Sequence, residues 1–216
     1  MRLISEPVLL STAYLPNIQY FSKLLLHEKT IIEIHETYQK QSYRNRCAIF
    51  DANGLLDLTI PVIKPNGNRT LTKDILIEYE TNWQAVHWRA IVSAYGHSPF
   101  FEIFEPELIH LFEKKEKFLI DFNLNILTQI QKSLGIEFNI DLSDSFIPFT
   151  NNPFDFRNSI HPKERMMKPD SYFHPVAYFQ VFSLEHGHKS NLSFIDLMFN
   201  EGPQSIDICK KSIIIN

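Results

Sequence analysis

EIHETYQKQSYRNRCAIFDANGLLDLTIPV, residues 33–62, is the stretch that decides how this chain is built. Two alternating runs flank Asn53-Gly54. A type I′ turn needs φ > 0 at both central residues, a need that Asn-Gly meets well, so the stretch predicts a β-hairpin. With a two-residue turn, Ile49 faces Leu58, Cys47 faces Ile60 and Asn45 faces Val62 on one side of the ribbon. Arg44 and Arg46 fall on the other side with Pro61 and Thr59, because side chains alternate across a strand. The expected hairpin has a core side, ended by Asn45, and a side that carries two guanidinium groups.

Upstream, Pro7 to Ala13 reads as a short apolar strand. Pro16 sets a turn, and Ile18, Phe21, Leu24 and Leu25 give the next segment helical spacing, with Asn17 as its N-cap. Thr30 to Ile34 is β-branched and reads as a second strand. Strand, helix, strand is a βαβ unit, which favours parallel pairing. The fold class predicted is α/β, with a βαβ start and a mixed sheet that includes the hairpin. Downstream, Thr72–Tyr79 alternates like a strand, and Thr81 to Gln84 matches a capping box that opens a helix running to Tyr95. Phe100–Phe104 reads as an aromatic segment before a small helix over Pro106–Phe112. Lys117–Leu134 is the longest predicted helix, stopped by Gly135, and Ile136–Ile140 follows as a strand.

From Asp141 the texture changes to Pro, Asn, Ser and clustered Phe. We read residues 1–140 as the α/β core, 141–175 as an irregular, lid-like excursion, and 176–216 as a last part packing on the same domain. In that part Val176–Phe182 is extended, Ser193 and Asp196 mark a helix ended by Gly202-Pro203, and the tail SIDICKKSIIIN is a helix or a strand.

The bulk numbers exclude several function classes. A net charge of −4 over 216 residues offers no attraction to nucleic acid or to an anionic membrane surface. Glu6 and Pro7 interrupt any apolar run after Arg2, and no stretch is long and apolar enough for a transmembrane helix. Cys47 and Cys209 lie far apart and form no ligand pair, and Cys47 falls on the core side of the hairpin. Reduced thiols in the cytoplasm are the expectation.

Lys40, Arg44, Asn45 and Arg46 form the densest cationic spot. A guanidinium offers a rigid fork of donors suited to a phosphate or carboxylate. The alternative is that Arg44 and Arg46 pair with Glu33, Glu36 or Asp57 on an exposed sheet face. His97 follows a buried helix at the turn Tyr95-Gly96-His97-Ser98-Pro99, where an imidazole serves as general acid or base. His87, earlier on that helix, reads as a hydrogen-bonded core or edge residue. His186-Gly187-His188 beside Glu185 lacks the spacing of zinc sites, and an exposed loop is the favoured reading. Neither a P-loop nor a GxGxxG run is present, so no metal and no cofactor is expected.

With these residues laid out, the chain resembles the WbqC-like protein family along nearly its whole length. The carriers are Tyr14-Leu15-Pro16 with Tyr20-Phe21; Glu36 with Lys40; Tyr43-Arg44-Asn45-Arg46; Leu58 to Val62; Trp83 and His87; Tyr95 to Phe101; and the late block Asn191 to Pro203. The chain departs from the family pattern at Ser11-Thr12, where Gln-Pro is common, at Gln19 in place of Gly, and at His35-Glu36 in place of paired acids. The resemblance implies a cytoplasmic bacterial protein tied to surface polysaccharide or O-antigen synthesis, with glycine or other acyl transfer to a sugar amine as the suggested role.

Two readings follow. As an enzyme, the chain uses His97 or Glu36 to take a proton from an amine, while Lys40, Arg44, Asn45, Arg46, Tyr95 and Asn200 hold a small-molecule substrate such as a nucleotide-sugar. That reading expects Arg44, Arg46, His97 and Asn200 to converge on one pocket. As a scaffold, the chain instead exposes Phe146, Phe149, Phe154 and Phe156. Self-association stays open in both.

Overall fold

A parallel sheet at the start of the chain positions the rest. In this computed structural model residues 3–149 and 152–215 are described, apart from the Glu164 side chain; Met1, Arg2, residues 150–151 of the excursion and Asn216 of the tail lie outside them. β1 (Val8–Ser11) leads into α1 (Ile18–Leu26), and β2 (Thr30–Glu33) returns parallel to β1, with Val8 opposite Thr30 and Ser11 opposite Glu33. Asn17 caps α1 as the sequence predicts, its Oδ1 accepting the Tyr20 N–H at 2.9 Å. In the turn between them Leu15 holds φ 41°, a left-handed conformation that costs a non-glycine residue energy.

β7 (Ile140–Leu142) joins the far side of β2, also parallel. It starts where the predicted strand over 136–140 ends, because the chain leaving the helix over Leu119–Leu134 spends residues 136–139 reaching the sheet. The free edge of β1 is then taken by the excursion. Leu9 N–H donates to Phe154 O at 2.9 Å, and Phe156 N–H donates to Leu9 O at 2.9 Å. The chain thus steps outward from β1 to β2 to β7 and comes back to the other edge of β1. Strand order reverses at β1.

The hairpin forms a sheet of its own from β3 (Arg46–Asp51) and β4 (Gly54–Thr59), antiparallel as expected. Its register differs from the Asn53-Gly54 expectation: Ile49 pairs with Leu56, Cys47 with Leu58 and Arg46 with Thr59. Of the two expected turn residues only Gly54 takes positive φ, at 105°, and the Asn53 N–H is held by Asp51 Oδ1 at 2.7 Å. The turn therefore closes around Ala52-Asn53. A slip of two places keeps every side chain on its face, so Cys47, Ile49 and Leu58 are buried as predicted. Arg44 lies before the ladder, in a turn, and strand alternation does not govern it.

β5 (Val62–Ile63) and β6 (Leu76–Ile77) make a short second ribbon. Only Leu76–Ile77 of the strand predicted over 72–79 pairs, since Thr72–Asp74 winds into a 3-10 turn. α2 (Trp83–Tyr95) begins at Asn82 without a side-chain cap, so the predicted capping box is not made. Pro106 does not open a separate helix. α3 (Phe101–Glu113) runs through it, because Phe101, Phe104, Leu108 and Phe112 form one buried stripe. α4 (Leu119–Leu134) ends at Gly135, φ 64°, as predicted. Residues 176–182 make no ladder, and a short α5 (Ser183–His186) follows. α6 (Phe194–Glu201) and α7 (Ser205–Lys211) close the fold. The N-terminus of α6 docks on the β1–α1 turn: Phe194 N–H donates to Pro16 O at 2.7 Å, and Ser193 Oγ to Leu15 O at 2.8 Å. That bond occupies the hydroxyl expected to cap α6.

Candidate functional site

In open parallel sheets, ligands bind outside the carboxyl ends of the strands where strand order reverses. Here that place lies beyond Ser11 of β1, Glu33 of β2 and Phe156 of the returning segment. It gathers two buried charged clusters and a third group that is partly exposed.

The first is Glu36 with Arg44. Arg44 Nε and Nη2 both donate to Glu36 Oε1, at 2.9 and 2.5 Å, and both side chains are 2% exposed. The ion pair foreseen for Arg44 therefore exists, but inside the protein instead of on an exposed sheet face. Glu36 Oε2 is buried with no hydrogen-bond partner among the described residues. Burial pushes the Glu36 pKa up, and the Arg44 guanidinium offsets only part of that. Asn123 Nδ2 fixes the Arg44 backbone, donating to its carbonyl at 2.9 Å and to Thr12 Oγ1 at 3.0 Å.

The second cluster is Arg157 with Asp155 and Glu33. Arg157 Nη2 lies 2.6 Å from Asp155 Oδ2 and its Nη1 lies 3.7 Å from Glu33 Oε2. Glu33 also accepts from Ser143 Oγ at 2.9 Å and from the Ile147 N–H at 2.7 Å. The two carboxylates share one guanidinium and take further neutral donors, so the group ties the excursion to the strand ends.

The third group has cations in excess. Arg46 is half-buried at the start of β3, and its Nε is buried without an acceptor. His161 and Lys163 come from the excursion, with Lys163 Nζ against Gln41 Oε1. His161 is buried, and its Nδ1 accepts the Lys163 N–H at 3.0 Å. Burial lowers the His161 pKa; the backbone hydrogen bond with Lys163 acts against it, and the charges of Arg44, Lys163 and Arg46 add to it. Among the described residues neither Arg46 nor Lys163 meets a carboxylate. Nearby, a cavity of about 10 Å³ remains between Ser11, Tyr20, Tyr43, Phe156 and Ile160, room for no more than one water. Phe156 and Ile160 fill the crevice.

Of the residues singled out from sequence, the fold brings together Glu36, Arg44, Asn45 and Arg46. Asn45 is buried and bonded to the hairpin, its Nδ2 donating to Ile60 O at 2.7 Å. Lys40 is exposed and sits beside Lys64, whose pKa it lowers. Tyr95, His97 and Asn200 belong elsewhere. The Tyr95 hydroxyl accepts the Phe50 N–H at 3.2 Å, four residues and roughly 13 Å along β3 from Arg46. It donates to Asp196 Oδ2 at 2.8 Å, while Tyr178 donates to Oδ1 at 2.6 Å. Burial raises the Asp196 pKa to about 6 against the pull of these hydroxyls. Asn200 Nδ2 donates to Asp196 O at 2.8 Å, and its Oδ1 accepts from Ser98 Oγ at 3.2 Å. His97 is exposed on the turn after α2. The expected single pocket is thus divided between the two ends of β3.

His87 is hydrogen-bonded in the core, its Nδ1 2.9 Å from the Tyr14 hydroxyl. His186 Nε2 lies 2.8 Å from Ala52 O and His188 packs edge-on to Tyr178, and no cluster of three metal-binding side chains occurs among the described residues. Sequence reading missed His161, Lys163 and Arg157. They sit in a segment without periodicity, where the only signal was a basic stretch inside a presumptive lid.

The model of the WbqC-like protein family matches residues 12–166. The chain belongs to that family. The match contains Glu36, Arg44, Arg46, His161 and Lys163, and ends before the late block at 191–203 that also carried the resemblance. The uncharacterized protein Rv1507c of Mycobacterium tuberculosis is 28% identical over 134 residues, which cover 62% of this chain and 58% of that relative. The chain therefore spans less than two thirds of the length of the curated relative it matches. No solved structure matches. Among the described residues no helix is long and apolar enough to cross a membrane.

Proposed function

We propose that this WbqC-like chain is an enzyme that transfers glycine or another acyl group to the amine of a nucleotide-linked sugar used for bacterial surface polysaccharide. The reading is carried by one observation. A buried carboxylate with an unpartnered oxygen, Glu36, is held by Arg44 at the carboxyl ends of parallel strands, and two residues along the chain from Arg44 stands an Arg46 that meets no carboxylate among the described residues. The acyl donor is an activated one, such as a thioester. The amine nitrogen attacks the donor's carbonyl carbon, the bond from that carbon to its leaving group breaks with the electron pair, and the amine proton passes to Glu36 Oε2. A carboxylate raised by burial is a better proton acceptor than an ordinary one. Arg44 keeps Glu36 oriented, Arg46 binds an anionic group of the substrate, and substrate access requires residues 156–163 to move aside. His97 has no part in this scheme, and Tyr95 and Asn200 act on the fold.

The scaffold reading draws on Phe146 and Phe149, which are 48% and 52% exposed. Phe154 and Phe156, its other two supports, are turned inward, with Phe156 buried under Lys23. A mass-spectrometric assay with a UDP-linked amino sugar and acyl thioesters tests the enzyme reading. The expected result is an acylated sugar whose formation drops at least a hundredfold in Glu36→Gln, measured at a temperature where circular dichroism shows the destabilised variant folded. No product from any thioester, or an unchanged rate in the variant, contradicts it.

A further inference from the structure

We propose that Arg46, Lys163 and His161 together form a binding site for a diphosphate, with the segment that returns beside β1 supplying two of its three groups. The choice of a diphosphate rests on the reading of the substrate as nucleotide-linked; the site itself rests on the side chains. The returning segment is pinned over the loop that leads into β3. Gln39 Nε2 donates to Asn158 Oδ1 at 2.8 Å, and Lys163 Nζ donates to Gln41 Oε1. Ile160 shares a cavity wall with Tyr43. Residues 158–163 are therefore held against residues 39–43, immediately before Arg44 and Arg46.

Three features point to an anion there. First, the charges do not balance. Four cations face three carboxylates: Arg44 pairs with Glu36, Arg157 alone faces both Asp155 and Glu33, and Arg46 and Lys163 meet no carboxylate among the described side chains. Second, the Arg46 Nε–H is shut away from solvent with nothing to accept it. Buried donors are nearly always satisfied, so an orphaned one asks for a partner. Third, the tautomer of His161 is fixed by its neighbour. Its Nδ1 accepts the Lys163 N–H at 3.0 Å, so in the neutral ring the proton sits on Nε2. The His161 Nε2–H makes no hydrogen bond among the described residues and, unlike the Arg46 Nε–H, is not shut away from solvent, so it can donate to a ligand. A neutral imidazole donor beside two cations suits a ligand with two linked negative groups. A single carboxylate supplies only one charge for the two cations.

The same arrangement gives the excursion a task. Bound diphosphate bridges Arg46 on β3 to Lys163 and His161, so the ligand draws residues 156–163 onto the core. Calorimetric titration of the whole chain with inorganic pyrophosphate, UDP and acetate tests this. Pyrophosphate and UDP are expected to bind, acetate is not, and Lys163→Met, Arg46→Met and His161→Asn each weaken pyrophosphate about tenfold or more. The Asn variant retains an acceptor for the Lys163 N–H and removes only the Nε2–H. Should it fail to fold, Lys163→Met and Lys163→Glu decide, since that side chain reaches the surface. Absence of pyrophosphate binding, or wild-type affinity in both Lys163 variants, overturns the site. Binding that follows the expected pattern without acyl transfer removes the enzymatic reading and leaves the site. Transfer with pyrophosphate affinity indifferent to Lys163 does the reverse.

Discussion

The two ends of β3 bury polar clusters of opposite kinds. At the Phe50 end, Asp196 accepts from Tyr95 and Tyr178 on separate oxygens, Asn200 and Ser98 complete the set, and no atom of these side chains is left without a partner among the described residues. At the Arg46 end, Glu36 Oε2, Asn45 Oδ1 and Arg46 Nε are all buried and unpartnered, and cations outnumber carboxylates locally. A closed cluster holds elements in place, here β3, α2 and α6. An open one keeps donors and charge in reserve for something that arrives later. The difference teaches that burial of polar residues does not identify a site; unmet hydrogen bonds together with unmatched charge are what single out the Arg46 end for test.

The largest expected effect breaks the open end. Arg44→Met leaves Glu36 buried without its counter-charge and should cost about 3–5 kcal/mol in urea denaturation. Adding Glu36→Leu should recover much of that loss, because an apolar pair of similar volume removes both buried charges. A double variant as unstable as the single one would show that the pair is not the cause.

At the closed end the test is pH. The folded pKa of Asp196, about 6, lies above its ordinary 3.8, so the folded chain keeps this proton longer than the unfolded chain. Stability from this group is therefore highest below about pH 4, falls as pH rises to about 6, and is level above that, by up to about 3 kcal/mol. The difference between wild type and Asp196→Asn, followed by denaturation from pH 4 to 7, should show that fall. A flat difference would mean that Asp196 titrates normally.

Lys23 sharpens the contrast between the core and the segment over the open end. It is fully buried in α1, with Nζ 2.6 Å from Asp170 Oδ2 and 4.6 Å from the centre of the Phe156 ring. Asp170 keeps a second donor, Gln19 Nε2, at 2.8 Å. Lys23→Met should cost about 2–3 kcal/mol, and hydrogen exchange should quicken over residues 154–173 more than in α4. Uniform quickening would mean that the pair supports the whole fold and not the excursion in particular. The smallest effect is expected from His97→Ala. An exposed turn residue should change stability by less than about 0.5 kcal/mol, and acyl transfer should stay within twofold of wild type.

Much of the fold was legible in the sequence, for local reasons. Apolar spacing located α1 and α4, Gly135 marked a stop, and alternation sorted Cys47 and Ile49 from Ala48. What was not legible depends on contacts far apart along the chain. Nothing near Asp155 announces that it will pair with Leu9, so the excursion reads as a loop when it in fact completes the sheet edge. The hairpin register turned on whether Asn53 takes positive φ, and the Asp51 side chain favoured the other solution. Pro106 argued for a helix start, yet the aromatic stripe from Phe101 to Phe112 carried the helix through it. For the site, the cationic stretch at 44–46 was visible, but the burial of Arg44 was not, because a period of two means nothing in a turn. His161 and Lys163 owe their place near Arg46 to a fold-back of more than a hundred residues, which Gln39 and Asn158 record in a single hydrogen bond.

The contrast between the two ends of β3 can be tested in one measurement, amide chemical shifts of the labelled chain titrated with UDP. The account predicts shifts concentrated at residues 33–46 and 156–163, with Tyr95, His97, Asp196 and Asn200 unmoved. Shifts centred on Tyr95, His97 and Asn200, or none anywhere, would contradict it.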